Sequence, residues 1–239
     1  MLHAFSHRKS RLYRRYLGYR EDPNERRITA EDEVTSLIMG PLAFLSPAAI
    51  GAFWLSVVRL RDPWHAFPSG PPTHAEMRFW PGNGDIEPDL CVELSWEQDT
   101  RILLVEFKWR APLSGDFQLH NQWKDYLQPD DRERALHLFI GLDTSAAKNA
   151  LSERDVWHGK LVMRSWFDIL TALADFKNSP GHELFRWSEQ VHTCLELLGV
   201  KRFNGFEALA PAPQMPLDGP LFFGQACSIS QQGSPEVKQ

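Results

Sequence analysis

A chain of 239 residues with 43% hydrophobic and 24% charged content suits one full-sized globular domain, or a compact core with helical additions. No apolar run is long enough to span a bilayer and the arginine-rich start lacks the apolar stretch of a secretory signal, so cytoplasm and no membrane partner are expected. Three separated cysteines, Cys91, Cys194 and Cys227, lack metal-ligand spacing and argue against structural zinc or a disulfide framework, while a net charge of -5 argues against a surface that coats DNA permanently.

The opening stretch is nevertheless basic. Arg8, Lys9, Arg11, Arg14, Arg15, Arg20, Arg26 and Arg27 are interleaved with Tyr13, Tyr16 and Tyr19, against only Glu21, Asp22 and Glu25. Such an arm over residues 1–27 can neutralise phosphates and steer a polyanion, or it can be a surface helix that docks a partner. Thr29-Ala30-Glu31-Asp32 then reads as an N-cap followed by acids, opening a helix with Val34, Leu37, Ile38 and Leu42 on its apolar side. Glu31 and Thr35 share a face of it, and Glu33 lies close enough to compete with Glu31 for any role. Helical packing is expected from Pro41 to Leu60, a Pro/Gly-rich loop from Pro63 to Pro72, and a strand at Met77 to Trp80.

The most informative segment follows. Pro88-Asp89-Leu90-Cys91-Val92-Glu93-Leu94 alternates as a strand, and Ser95 to Thr100 suits a hairpin connection. Arg101 to Trp109 is apolar on both alternating sets, as in a strand covered on both faces. Alternation puts Ile102, Leu104, Glu106 and Lys108 on one side and Leu103, Val105, Phe107 and Trp109 on the other. A hairpin with this turn brings Asp89 back beside Glu106 and Lys108. Burying such charges costs several kcal/mol each unless they are paired or hold a metal, so their presence there needs a reason. The acid-x-Lys spacing also occurs at Asp175-Phe176-Lys177 in a helical stretch and at Glu236-Val237-Lys238 in the polar tail, without these surroundings.

Beyond the strand, Ser114-Gly115-Asp116 can start a helix on which Gln118, Gln122 and Tyr126 fall at four-residue steps. Ala135 to Gly141 reads as the next strand, Lys160 to Arg164 as a further one, and Ala146–Arg154, Trp166–Phe176 and Glu183–Leu198 as helices. After Phe206 the composition turns to Ala, Pro, Gln and Ser, giving an irregular or disordered tail over 207–239.

On Asp89, Glu106-Phe107-Lys108 and Gln122-Trp123-Lys124-Asp125-Tyr126, the chain resembles the PD-(D/E)xK nuclease superfamily, with the QxxxY motif of RecB-type and lambda-exonuclease-type members. The resemblance spans roughly residues 28 to 142. It implies an α/β, restriction-endonuclease-like αβββαβ core with a central mixed sheet flanked by helices, plus C-terminal helices, within a domain over 28–206. It further implies a Mg2+- or Mn2+-dependent deoxyribonuclease in which Asp89, Glu106 and the Phe107 carbonyl hold the cation, with Glu31 as a further acidic partner. Lys108 would orient and help deprotonate the attacking water, and Gln122 and Tyr126 would brace the lysine or the scissile phosphate. The superfamily includes effectors of bacterial defence and mobile-element systems, some with protein partners, which makes antiviral defence one expectation. Arg110 and Lys124, with Arg14 and Arg15 of the arm, are candidates to meet DNA phosphates.

Plainer readings compete. Glu106 and Lys108 can be a strand-end ion pair without a metal, Gln118, Gln122 and Tyr126 a solvated helix face, and Glu31 an acid favoured by the helix dipole alone. Trp96, Trp109 and Trp123 can stack on bases or simply fill the core. A noncatalytic nuclease-fold adaptor that binds DNA or a protein is the alternative from another functional class.

Overall fold

A computed structural model of the chain describes residues 1–7, 9–17, 19, 30–82, 84–110, 112–115, 117–179 and 181–201. The expected tail, the Thr29 cap, the Glu236–Lys238 motif, and Arg8, Arg20, Arg26 and Arg27 of the basic stretch lie outside the described residues.

The described elements run α1 (Leu2–Ser6), α2 (Tyr13–Tyr16), α3 (Ala30–Met39), a 3-10 turn (Pro41–Phe44), α4 (Pro47–Arg59), β1 (His74–Phe79), β2 (Leu90–Ser95) and β3 (Thr100–Lys108). They continue through α5 (Gln118–Asn121), a π-helical turn (Gln122–Tyr126), α6 (Pro129–Arg134), β4 (Ala135–Gly141), α7 (Ser145–Glu153), β5 (Leu161–Ser165), α8 (Trp166–Lys177) and α9 (Phe185–Leu197). The fold is α/β, with a five-stranded mixed sheet flanked by helices. Its strand order is β1-β2-β3-β4-β5, antiparallel across β1–β2 and β2–β3 and parallel across β3–β4 and β4–β5. Among the described residues no helix is long and apolar enough to cross a membrane.

The alternation of β3 divides the interior into two cores, one on each face of the sheet. Leu103, Val105, Phe107 and Trp109 join Val34, Ile38, Phe53, Trp54, Trp166 and Trp187 on one face. Ile102 and Leu104 join Cys91, Leu119, Trp123, Phe139, Ala147 and Trp157 on the other. A central strand buried on both faces has no room for a stray charge, so Glu106 and Lys108, 1% and 8% exposed, are held by specific partners. Ordinary caps set the helices around them: Ser46 accepts from the Ala49 N–H at the start of α4, and Ser165 with Asp168 forms a capping box on α8.

One expectation changes. The basic stretch is not wholly an arm, because α1 packs on α9 and buries Leu2 and Phe5 in the first core. The described residues thus group as one compact unit. Of the two readings of the tryptophans, the core one holds for Trp109 and Trp123, which are buried, while Trp96 is half-buried against the core with its indole N–H on the Gly70 carbonyl. Asp175–Lys177 sits within α8, away from any strand end.

Candidate active site

The hairpin register pairs Leu90 with Val105, which sets Asp89 beside the Glu106–Phe107 end of β3. There β2 ends, and the side chain of Asp89 takes over its ladder: Oδ2 accepts from the Phe107 N–H at 2.7 Å. Two residues further, the Trp109 N–H donates to Glu31 Oε1 at 2.7 Å. In an extended strand the N–H and C=O of one residue face the same edge, so the Phe107 carbonyl lies between the two N–H groups that hold Asp89 and Glu31. Glu33, by contrast, is exposed, so of the two helix acids only Glu31 meets β3.

Glu106 points onto the second face and accepts from three donors, which leaves Oε2 room for a further ligand. Its Oε1 accepts from Lys108 Nζ at 2.8 Å and from Gln118 Nε2 at 2.7 Å, and its Oε2 accepts from Gln122 Nε2 at 2.7 Å. Lys108 Nζ also reaches Glu31 Oε2 at 3.3 Å. The ammonium therefore lies between two carboxylates supplied by different elements, and the carbonyl of Lys108 is fixed by the Trp166 indole N–H at 3.2 Å.

Electrostatics follow from this crowding. Burial, reinforced by the charge of Glu106, pushes the Asp89 carboxyl up to about 8 despite the Phe107 N–H. Burial likewise raises Glu106 against the opposing pull of Lys108. Burial also disfavours the Lys108 ammonium, but Glu106, Glu31 and Asp89 outweigh it and hold its pKa above the usual lysine value. For Asp89 the linkage has a definite sign: an acid whose folded pKa lies above its unfolded value of 3.8 adds stability at low pH and loses it as the pH rises through about 8. The metal-free protein should therefore lose melting temperature relative to Asp89→Asn between about pH 4 and pH 8. A difference in Tm that stays flat over that range contradicts this assignment.

Asp89, Glu106 and the Phe107 carbonyl are hard oxygen donors gathered at one strand end. Burial and mutual repulsion oppose ionising both acids, and Lys108 offsets part of that cost. Among the described residues no three His, Cys, Asp or Glu side chains form a ready metal cage. A partial oxygen shell of this kind fits Mg2+, which retains several waters and takes one or two carboxylates.

The remaining candidates divide. Gln122 is buried on Glu106 and Gln118 joins it, whereas Tyr126 goes elsewhere. The expectation of an unbroken α-helix fails at Gln122, where the π-helical turn widens the spacing. Tyr126 is thereby carried towards Cys91 and Arg78, and burial beside Cys91 raises its phenol to about 12. It is placed with β1 and β2 rather than against the lysine stem. Before α5, Phe117 is exposed and takes a left-handed φ of 67°, a strained position next to Gln118 that the sequence pattern did not signal. Arg110 is exposed just past β3, Lys124 is half-buried on the π turn, and Arg14 is exposed on α2, which lies against α3; the Arg15 side chain is outside the described set.

Sequence reasoning missed His137 and Trp157, both buried behind Gln122. They sit in apolar segments and carry no motif, so only the packing of β4 on β3 reveals them. A cavity of about 240 Å³ lined by His65, Phe67, Arg101, Glu133, Arg134 and Lys160 lies at the opposite ends of β3 and β4 and shares no residue with this cluster. No protein-family model, curated protein or solved structure matches the chain.

Proposed function

We propose that the protein is a Mg2+- or Mn2+-dependent deoxyribonuclease of the PD-(D/E)xK type, built on a restriction-endonuclease-like core. The observation that carries this reading is the meeting of Asp89, Glu106, Lys108 and Glu31 at the C-terminal end of one central strand. Buried acids beside a lysine, each supplied by a different part of the hairpin and helix, cost stability and are best explained by chemistry on a charged substrate.

Asp89, Glu106 and the Phe107 carbonyl would hold the cation, with Glu31 close enough to bind one of its waters. When bound, the cation supplies neutralisation of the scissile phosphate and acidification of a water. Hydrolysis adds the water oxygen to phosphorus and breaks the P–O3′ bond, leaving a 5′-phosphate and a 3′-hydroxyl. Lys108, kept protonated by its acids, serves as a hydrogen-bond donor and positive charge for the water or phosphate, and the water's proton leaves through a carboxylate or solvent. Gln118 and Gln122 hold Glu106 in the orientation this arrangement needs. Arg110, Lys124 and Arg14 are suited to meeting backbone phosphates. A place in bacterial defence or on a mobile element, with a protein partner, is in keeping with this activity.

The test is incubation with linear, circular and single-stranded DNA in Mn2+, with EDTA as the blank. Cleavage that requires the metal supports the reading, and intact DNA in every arm refutes it. Within it, Gln122→Ala should slow cleavage about tenfold, more than its effect on stability requires, because the interaction it removes orients a group used in the transition state. Gln118→Ala should be milder, since Lys108 still engages the same Glu106 oxygen. Single-turnover rates for the two variants check this, and equal rates for Gln122→Ala and the parent would return the helix to a scaffolding role.

A further inference from the structure

From Glu106 backwards, four side chains, from β3, the π-helical turn, β4 and the loop before β5, form a chain of hydrogen bonds in which every direction is determined. The Trp157 indole can only donate, and its Nε1 donates to His137 Nδ1 at 3.0 Å. Nδ1 is then the bare nitrogen of a neutral ring, so Nε2 carries the proton and donates to Gln122 Oε1 at 3.2 Å. With its oxygen so used, the Gln122 amide turns its Nε2 to Glu106 Oε2 at 2.7 Å. The reverse amide orientation would set an oxygen against a carboxylate and leave His137 Nε2–H facing an N–H group. His137 is fully buried on β4, and the Trp123 ring lies nearly parallel to it, 8° apart with centroids at 6.0 Å. No water is needed to complete the series.

The geometry points to His137 and Trp157 as positioning residues: a one-way relay, Trp157 to His137 to Gln122 to Glu106, that fixes the Gln122 amide and through it the orientation of the Glu106 carboxylate. Its catalytic consequence rests on the nuclease reading above, whereas the relay itself does not. Burial keeps the His137 imidazole neutral, its pKa lowered to about 3, in keeping with a fixed tautomer rather than a titrating switch. Losing the relay leaves Gln122 free to rotate its amide, so the expected cost falls on the rate of the chemical step and not on substrate affinity.

Two readouts test it. The 15N spectrum of the His137 ring should show Nε2 protonated and Nδ1 bare in the parent, and a mixture of tautomers in Trp157→Phe. A proton on Nδ1 in the parent overturns the relay, whatever the protein cleaves. In cleavage, His137→Phe should reduce kcat about tenfold with KM unchanged, the scale of one oriented hydrogen bond, and should add almost nothing in a Gln122→Met background. A His137→Phe rate equal to the parent's, or the same tenfold loss without Gln122, overturns the positioning role. Should His137→Phe fail to fold, Trp157→Phe, which keeps the ring packing, carries the kinetic test with a loss of a few-fold. If the parent itself cuts no DNA, the nuclease reading falls while the ring spectrum still decides the relay.

Discussion

Asp89→Asn is expected to abolish metal-dependent cleavage, by roughly 10³-fold or more, while leaving a folded protein that melts higher than the parent without metal. The asparagine oxygen can still accept from the Phe107 N–H, so the local backbone is kept. What disappears is a carboxyl whose ionisation burial and Glu106 both oppose. Glu106 behaves differently, because three donors converge on it. Glu106→Ala should be as inactive as Asp89→Asn but less stable than the parent, since Lys108, Gln118 and Gln122 lose their acceptor in a closed interior. Melting curves beside endpoint cleavage check both halves. Wild-type cleavage by either variant contradicts the assignment, and a stabilised Glu106→Ala contradicts the account of its contacts.

Lys108→Met should also be inactive, by about 10²-fold or more, if its ammonium faces the water or phosphate during the reaction. Its stability effect separates it from an idle ion pair. Methionine fills the stem's volume but removes the ammonium that pairs with both Glu106 and Glu31, so the metal-free Tm should fall. Mn2+ should then restore more Tm in this variant than in the parent, because a bound cation supplies the missing charge and stabilises by mass action. Equal Mn2+ shifts in both proteins would mean that the ion does not bind beside Lys108.

How much of this could be read from the residues alone depends on the kind of signal. The strand 101–109 and the pairing of Asp89 with Glu106 were legible, because period-two alternation and a short connection fix register locally. Helices α7, α8 and α9 and strands β4 and β5 fell within a few residues of their expected bounds for the same reason. The choice of Glu31 over Glu33 was not legible: both lie in the first turn of α3, and only the packing of that helix across the end of β3 selects one. Tyr126 was misplaced because four-residue spacing presumes an α-helix, and the π turn at Gln122–Tyr126 breaks that assumption. His137 carries no signal within the apolar run Ala135–Gly141, and only the tertiary fold sets it against Gln122 and Trp157. Leu2 and Phe5 lie just ahead of the basic run and carry too short a pattern to signal a helix, although two apolar residues three apart are enough to dock a single turn.

The most direct test of the account is anomalous diffraction from Mn2+-soaked crystals of the protein. One strong peak is expected at the C-terminal end of β3, within bonding distance of Asp89, Glu106 and the Phe107 carbonyl, and it should be lost in Asp89→Asn. A saturated crystal with no peak at that strand end, or with a peak that persists unchanged in Asp89→Asn, would contradict it.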